Sequence, residues 1–274
     1  MNTLRLECPA KINLFLELHG RRPDGYHELT TVMLPVNLCD QLTVRRGRQF
    51  SVRVSGAKLS GTNTVEKAYQ AITRQRKIPP VQIEIRKRIP PGAGLGGGSS
   101  NAAATIIALD RMFDLELDRA KVAAEVGSDV PFFLHAQPAL CTGRGENIHL
   151  LPFSRSLTII LFSPPVEALT AEVYAEARNI RTRGHRDVTD FLHTYSAGSI
   201  EEIRESVFNR LEEPAFARYP TLRKWKKRLG PGTHLTGSGS TFFQLHSDPE
   251  RARSVGKKTG GRPVSTLSPF PRLP

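Results

Sequence analysis

Residues 90–101, Pro90-Pro91-Gly92-Ala93-Gly94-Leu95-Gly96-Gly97-Gly98-Ser99-Ser100-Asn101, place five glycines within seven positions. Upstream, Val81, Ile83 and Ile85 alternate with Gln82, Glu84 and Arg86, the pattern of a strand with one wet face. Downstream, from Ala102 to about Phe113, Ile106, Leu109 and Phe113 share one stripe at helical spacing. The run therefore joins a strand to a helix. Without Cβ atoms, successive backbone N–H groups can turn toward one point, and a helix N-terminus adds unpaired donors and partial positive charge. The pattern predicts an anion cradle. A flexible linker is the competing reading, but a linker needs neither the strand before it nor the helix directly after it.

Three familiar glycine motifs fit poorly. A Walker A loop requires Lys followed by Ser or Thr after its last glycine, whereas Gly97 is followed by Gly98 and Ser99. A dinucleotide fingerprint matches formally at Gly92, Gly94 and Gly97, yet two prolines stand where a tight strand-to-helix turn belongs. His185-Arg186-Asp187 imitates a protein-kinase catalytic triplet, but Leu192 occupies the metal-binding Asn position and no D-F-G follows.

The rest of the chain reads as mixed α/β. Leu42 and Val44, then Phe50, Val52 and Val54, predict a hairpin turning at Gly47 with its arginines in water. Asp118 is a good N-cap for a helix through KVAAEV that stops at Gly127, and Ser128-Asp129-Val130-Pro131 starts a new element. Leu157–Phe162 predicts a buried central strand, and a domain change is placed near residue 150. Helices are expected around Leu169–Ala177 and Glu201–Asn209 and in the basic stretch Arg223–Arg228. From Gly260 onward little periodicity remains, so order in the tail is doubtful.

With 274 residues the chain can bury one large or two modest cores. Cys8, Cys39 and Cys141 lie far apart with no C-x-x-C pair, which argues against both a disulfide framework and a zinc site. Glu7, Lys11 and Asn13 interrupt the first apolar stretch and no run approaches membrane-spanning length, so a cytoplasmic protein is expected. The 39 Lys+Arg against 26 Asp+Glu give a net charge of +13 and call for an anionic partner. Nucleic acid and phosphate-rich small molecules both satisfy that demand; a nucleic-acid binder would show steeply salt-dependent affinity.

Two further segments stand beside the glycine loop: Pro9-Ala10-Lys11-Ile12-Asn13-Leu14 and Leu235-Thr236-Gly237-Ser238-Gly239-Ser240-Thr241. Together the three resemble the motif set of the GHMP small-molecule kinases. Within that superfamily, Arg22-Pro23-Asp24-Gly25-Tyr26-His27-Glu28-Leu29 and Gly127-Ser128-Asp129-Val130-Pro131-Phe132-Phe133 resemble the members that act on 4-diphosphocytidyl-2-C-methyl-D-erythritol. The match spans most of the chain, and D-G-Y-H is its specific part.

The resemblance implies ATP-dependent phosphorylation of that compound's 2-hydroxyl, in the non-mevalonate route to isoprenoid precursors. It implies a fold of two α/β domains, residues 1–150 and 151–274, with the active site in the cleft between them. ATP would bring Mg²⁺, for which no protein ligand is named. The partners are small molecules, with nucleic acid and membrane not expected, and the chain is expected as a monomer or homodimer. Other GHMP kinases, acting on mevalonate-type, homoserine or sugar substrates, are the alternative within the class.

Residue by residue, Asp129 would accept the hydroxyl proton and Lys11 would neutralise developing charge, against the plainer reading of a cap and a surface ion pair. Pro90 to Ser100 would hold the ATP phosphates, with Ser99 and Ser100 also natural helix caps. Asn63 and Lys87 match positions near adenosine, although Arg86-Lys87-Arg88 could equally keep a sheet edge from aggregating. Asn13, sharing a face with Lys11 on an extended segment, would bond substrate or serve as a buried structural amide. Tyr26 offers a stacking ring for cytosine and His27 offers its edge polar partners, unless both are merely packed loop residues. Thr170 and Tyr174, four apart on one helical face, would contact the nucleotide half, and Gly237 and Gly239 would support the phosphate loop and close the cleft near the substrate's diphosphate.

Overall fold

Two exceptionally long strands organise the protein: β1 (Thr3–Arg21) and β2 (His27–Arg46) run antiparallel along nearly their whole length. The computed structural model describes residues 2–57, 63–152, 155–178 and 184–267. After β2 come β3 (Ser51–Ser55), α1 (Thr64–Thr73), β4 (Val81–Arg86), α2 (Gly97–Phe113), α3 (Arg119–Val126) and α4 (Val130–His135). Then follow β5 (Ala139–Gly143), β6 (Asn147–Leu150), β7 (Thr158–Phe162), α5 (Thr170–Ala177), α6 (Val188–Ala197) and α7 (Ile200–Ser206). The remainder is β8 (Phe208–Asn209), α8 (Glu212–Arg218), α9 (Pro220–Leu229), β9 (Thr233–Leu235), β10 (Phe242–His246), α10 (Pro249–Thr259) and β11 (Arg262–Ser265).

The first sheet has the order β3-β4-β2-β1-β8, and β5 pairs with the other end of β2 and with β6. The second has the order β11-β7-β10-β9, all neighbours antiparallel. Period-two alternation along β1 sends Ala10, Ile12 and Leu14 into a core shared with Ile159, Leu161, Phe243 and Leu245 of the second sheet. The intervening Lys11 and Asn13 consequently face the other way, into the cleft. A register shift between Asn13 and Phe15 marks a bulge beside them. On that opposite face, α1, α2, α3 and α4 pack with Val81, Ile83 and Ile85.

Several expectations hold: β4 alternates as read, Asp118 caps α3 by accepting from the Lys121 N–H, and β7 is an interior strand of its sheet. Others need correction. Leu42 and Val44 do not form a hairpin with Phe50–Val54; they pair with Ile85 and Ile83, and β3 runs parallel to β4 on its far side. A strand from beyond α1 intrudes because its own buried face completes the sheet, and Gly47 donates instead to the Pro80 carbonyl. Helix α2 starts at Gly97, inside the glycine run, and is buried nearly all round rather than along one stripe. The helix expected over Glu201–Asn209 stops at Ser206, since Phe208 and Asn209 join the first sheet as β8. The tail from Gly260 forms β11 against β7, with Val264 buried; residues 268–274 lie outside the described residues. Backbone pairing with β7 supplied the order that side-chain periodicity did not signal. Among the described residues no helix is long and apolar enough to cross a membrane.

Candidate active site

The glycine run ends in Gly96, which takes φ +69° as N-cap of α2 and offers no side chain to cap the helix. The N–H groups of Gly97, Gly98 and Ser99 therefore head the helix without intrahelical partners, and the first such bond is Ser100 N–H to the Gly96 carbonyl. Helix α2 aims its positive end into a cleft of about 710 Å³. At Gly94, φ is +73° and an added Cβ would stand 2.6 Å from the Thr236 carbonyl oxygen and 2.7 Å from that of Gly239. The C-terminal glycine loop thus backs the first one directly.

Over this helix end, Lys11 Nζ lies 3.6 Å from Asp129 Oδ2. Asp129 occupies the N-cap position of α4 but its carboxylate accepts no capping hydrogen bond, leaving it directed into the cleft. Lys11 is buried, and donates to Asn13 Oδ1 at 2.7 Å. Asn13 Nδ2 donates to Thr31 Oγ1 at 2.8 Å, while the Thr236 hydroxyl donates to Asn13 Oδ1 at 3.2 Å. The Asn13 amide lines the cleft; its oxygen accepts from Lys11 and Thr236, and of its two Nδ2 hydrogens one is donated to Thr31.

Lys87 is buried and ion-paired to Asp40, and donates to Asn101 Oδ1 at 3.1 Å. Asp40 also accepts from the Arg88 and Ile89 N–H groups at 2.7 and 2.9 Å and from Asn101 Nδ2 at 3.1 Å. Lys87 is thus no exposed edge lysine; it ties β4 to the first turn of α2 on the floor of the cleft.

At the far end of the cleft Tyr26 is 52% exposed, with the Arg144 guanidinium 4.7 Å from its ring centroid. His27 and Tyr174 rings are 5.2 Å apart, and the Thr170 and Ser238 hydroxyls share a hydrogen bond of 2.9 Å. Burial, then Arg178 and Arg21, hold the His27 imidazolium below its ordinary range, and burial pushes the Tyr174 phenol up.

The cleft gathers Lys11, Asn13, Tyr26, His27, Lys87, residues 90–99, Asp129, Thr170, Tyr174 and Gly237. Three expected residues stay outside its lining. Asn63 caps α1, accepting from the Val65 N–H; Gly239 supports Gly94 from behind; the Ser100 hydroxyl is buried on the other side of α2. Arg144, Arg178, Thr64, Ser128 and Ser238 line the cleft and were not read from sequence. The G-R-G-E turn after β5 was the available signal for Arg144.

Among the described residues no three His, Cys, Asp or Glu side chains group as a metal cage. The cleft instead sets the Ser99 hydroxyl and the Asp129 carboxylate beside free N–H groups, a set suited to a cation held chiefly by phosphate oxygens and water.

The profile described as "GHMP kinases N terminal domain" matches residues 63–137. The chain is 34% identical to 4-diphosphocytidyl-2-C-methyl-D-erythritol kinase of Geobacter sp. (strain M21), over 95% of this chain and 97% of that one. The chain belongs to the 4-diphosphocytidyl-2-C-methyl-D-erythritol kinase family. The family member from Thermotoga maritima is 35% identical over 86% of this chain and 90% of its own. A crystal structure of 4-(cytidine 5'-diphospho)-2C-methyl-D-erythritol kinase superposes with a TM-score of 0.80 at 31% identity, covering 96% of this chain and 98% of that one. The fold is the mixed α/β fold of the GHMP kinases, and the chain is an ATP-dependent small-molecule kinase.

Proposed function

We infer that this chain transfers the γ-phosphoryl group of ATP to the 2-hydroxyl of 4-diphosphocytidyl-2-C-methyl-D-erythritol, giving the 2-phosphate and ADP within isoprenoid precursor synthesis. The observation that carries the mechanism is the Lys11–Asp129 pair, 3.6 Å apart, above an uncapped helix N-terminus. Phosphoryl transfer asks chiefly for alignment and for stabilisation of charge on the transferred group.

In this reading the N–H groups at the start of α2 and the loop Pro90–Ser99 grip the ATP phosphates, with Lys87 beneath them. Asp129 accepts the proton of the 2-hydroxyl, the oxygen attacks the γ-phosphorus, and the bond to the β,γ-bridging oxygen breaks with its electron pair leaving on ADP. Lys11, held by Asn13, neutralises the developing alkoxide and phosphate oxygens. Mg²⁺ bound to the nucleotide would neutralise further phosphate charge, facing Ser99 and Asp129. Tyr26, His27, Thr170 and Tyr174 receive the cytidine half, and Gly237 closes the wall between the two reactants.

Residues 1–150 and 151–274 act as the two domains flanking this cleft, in the cytoplasm, and one chain supplies every residue named. The surplus positive charge is better ascribed to surface and to phosphate-rich ligands than to nucleic acid. In the basic helix α9, Arg223 and Lys226 are ion-paired to Glu213 and Glu212, and Arg228 lies over the Trp225 ring.

Incubation with ATP, Mg²⁺ and the cytidyl substrate should release ADP and yield a phosphate monoester at the 2-position. Mevalonate, homoserine and free sugars should be poor acceptors. Turnover on one of those and none on the cytidyl compound would refute the assignment.

A further inference from the structure

Resting on the substrate reading above, we propose that Arg144 is the cation that meets the diphosphate of the cytidyl substrate. The two ends of that substrate are anchored apart: its reacting alcohol at Asp129 and Lys11, its base at Tyr26, His27 and Tyr174. Two negatively charged phosphates must cross the space between. Arg144 stands at that crossing. It leaves β5 in the turn before β6, where the next residue, Gly145, has its Cβ position 3.8 Å from Asp129 Oδ1. Its guanidinium reaches the opposite way, to 4.7 Å from the Tyr26 ring centroid. The Arg144-Gly145 turn therefore spans from the acid end of the cleft, at Gly145, to the base end, at the Arg144 guanidinium.

The guanidinium is held but not used up. Glu146 Oε1 lies 3.6 Å from Arg144 Nε, outside hydrogen-bonding distance. That Nε is buried with no hydrogen-bond acceptor among the described residues, and one Nη donates to the Ala124 carbonyl at a long 3.5 Å. The side chain as a whole is partly exposed and lines the cleft, so an anion entering there can add acceptors to the guanidinium.

The other lining cations are differently engaged. Lys11 is bound to Asn13 and paired with Asp129, Lys87 is bound to Asp40 and Asn101, and Arg178 is exposed at the end of α5. Arginine also suits the dual geometry, since its flat face rests on an aromatic ring while its N–H edge remains free for paired phosphate oxygens.

The test compares cytidine 5'-diphosphate with cytidine as probes, measuring equilibrium binding to the parent, Arg144→Gln and Arg144→Lys, with thermal midpoints recorded for each. Loss of a charge-assisted contact should weaken diphosphate binding by about tenfold or more. Cytidine and ATP affinities should stay near parental values, and Arg144→Lys should recover part of the loss. If Arg144→Gln does not fold, Arg144→Lys carries the comparison, because a point charge without the planar fork should still lose diphosphate affinity selectively. Equal binding of the diphosphate by parent and variants overturns the role of Arg144 while leaving the cytidyl reading intact. An equal loss for both probes also overturns it, reducing Arg144 to a support for Tyr26. A parent that binds neither probe overturns the substrate reading, and this assignment with it.

Discussion

Lys11 and Asp129, 118 positions apart in the chain, are brought within 3.6 Å because a strand and a helix start converge on the same end of α2. The carboxylate has no capping duty and the ammonium is fixed by Asn13, so the pair is arranged for a third group to enter.

Asp129→Asn should keep the shape of the site while removing the proton acceptor. We expect kcat to fall by about 10²- to 10⁴-fold with ATP affinity nearly unchanged. Steady-state kinetics with nucleotide-binding titrations would check this; parental turnover in the variant would remove Asp129 from the mechanism.

Gly94→Ala would force a Cβ against two carbonyl oxygens from the C-terminal loop, at a backbone angle unfavourable to side chains. A loss of about 1–3 kcal/mol in stability is expected from backbone strain alone, accompanied by a raised KM for ATP. Thermal melting and kinetics of the same preparation test both parts, and a variant as stable as the parent would show that the two loops can separate at little cost.

Glu17 is fully buried, and both of its oxygens accept from Arg210, at 2.6 and 2.5 Å. Burial alone would raise this carboxyl, but Arg210 and the N–H groups of Arg186 and Leu18 outweigh it and hold the group below its ordinary 4.5. The unfolded chain therefore takes up the proton first as pH falls. The pair's contribution is fully present above about pH 4.5 and is lost as pH drops through the lower folded value. Glu17→Ala should cost about 3–5 kcal/mol at neutral pH by leaving Arg210 unpaired. Urea midpoints between pH 3 and 7 should converge for parent and variant at the acid end; parallel curves would count against the pair.

His27 is held below 6.5 by burial and then by Arg178 and Arg21, so it is neutral at pH 7 and presents one donor and one acceptor. Affinity for cytidine nucleotides should be level near pH 8 and change at acid pH with a midpoint below 6.5, as the ring gains its second proton. His27→Phe should abolish the acid limb. An inflection at 7 or above that disappears in this variant would contradict the assignment of a lowered imidazolium.

Local signals were legible where one segment decides its own fate. The alternation of Val81, Ile83 and Ile85 and the cap at Asp118 needed no distant partner, and they stand as read. Signals failed where a remote strand decided the outcome: β4 displaced the hairpin between β2 and β3, and β7 recruited Arg262–Ser265. Helix α2 carries no wet face because sheet and helices enclose it, so a stripe at Ile106, Leu109 and Phe113 understated its burial. In the site, dense motifs placed Lys11, Asp129 and the glycine loop. An isolated residue such as Asp40 was silent, since a lone charge in a strand acquires its meaning only from what folds against it.

The contact of Gly94 with the carbonyls of Thr236 and Gly239 has a consequence for variation among relatives. Neither loop has slack to accept bulk from its opposite number, so substitutions at one are tolerable only if the other retreats in step. Engineering that grafts a new acceptor preference onto the C-terminal half must therefore carry its own glycine loop along as a matched set.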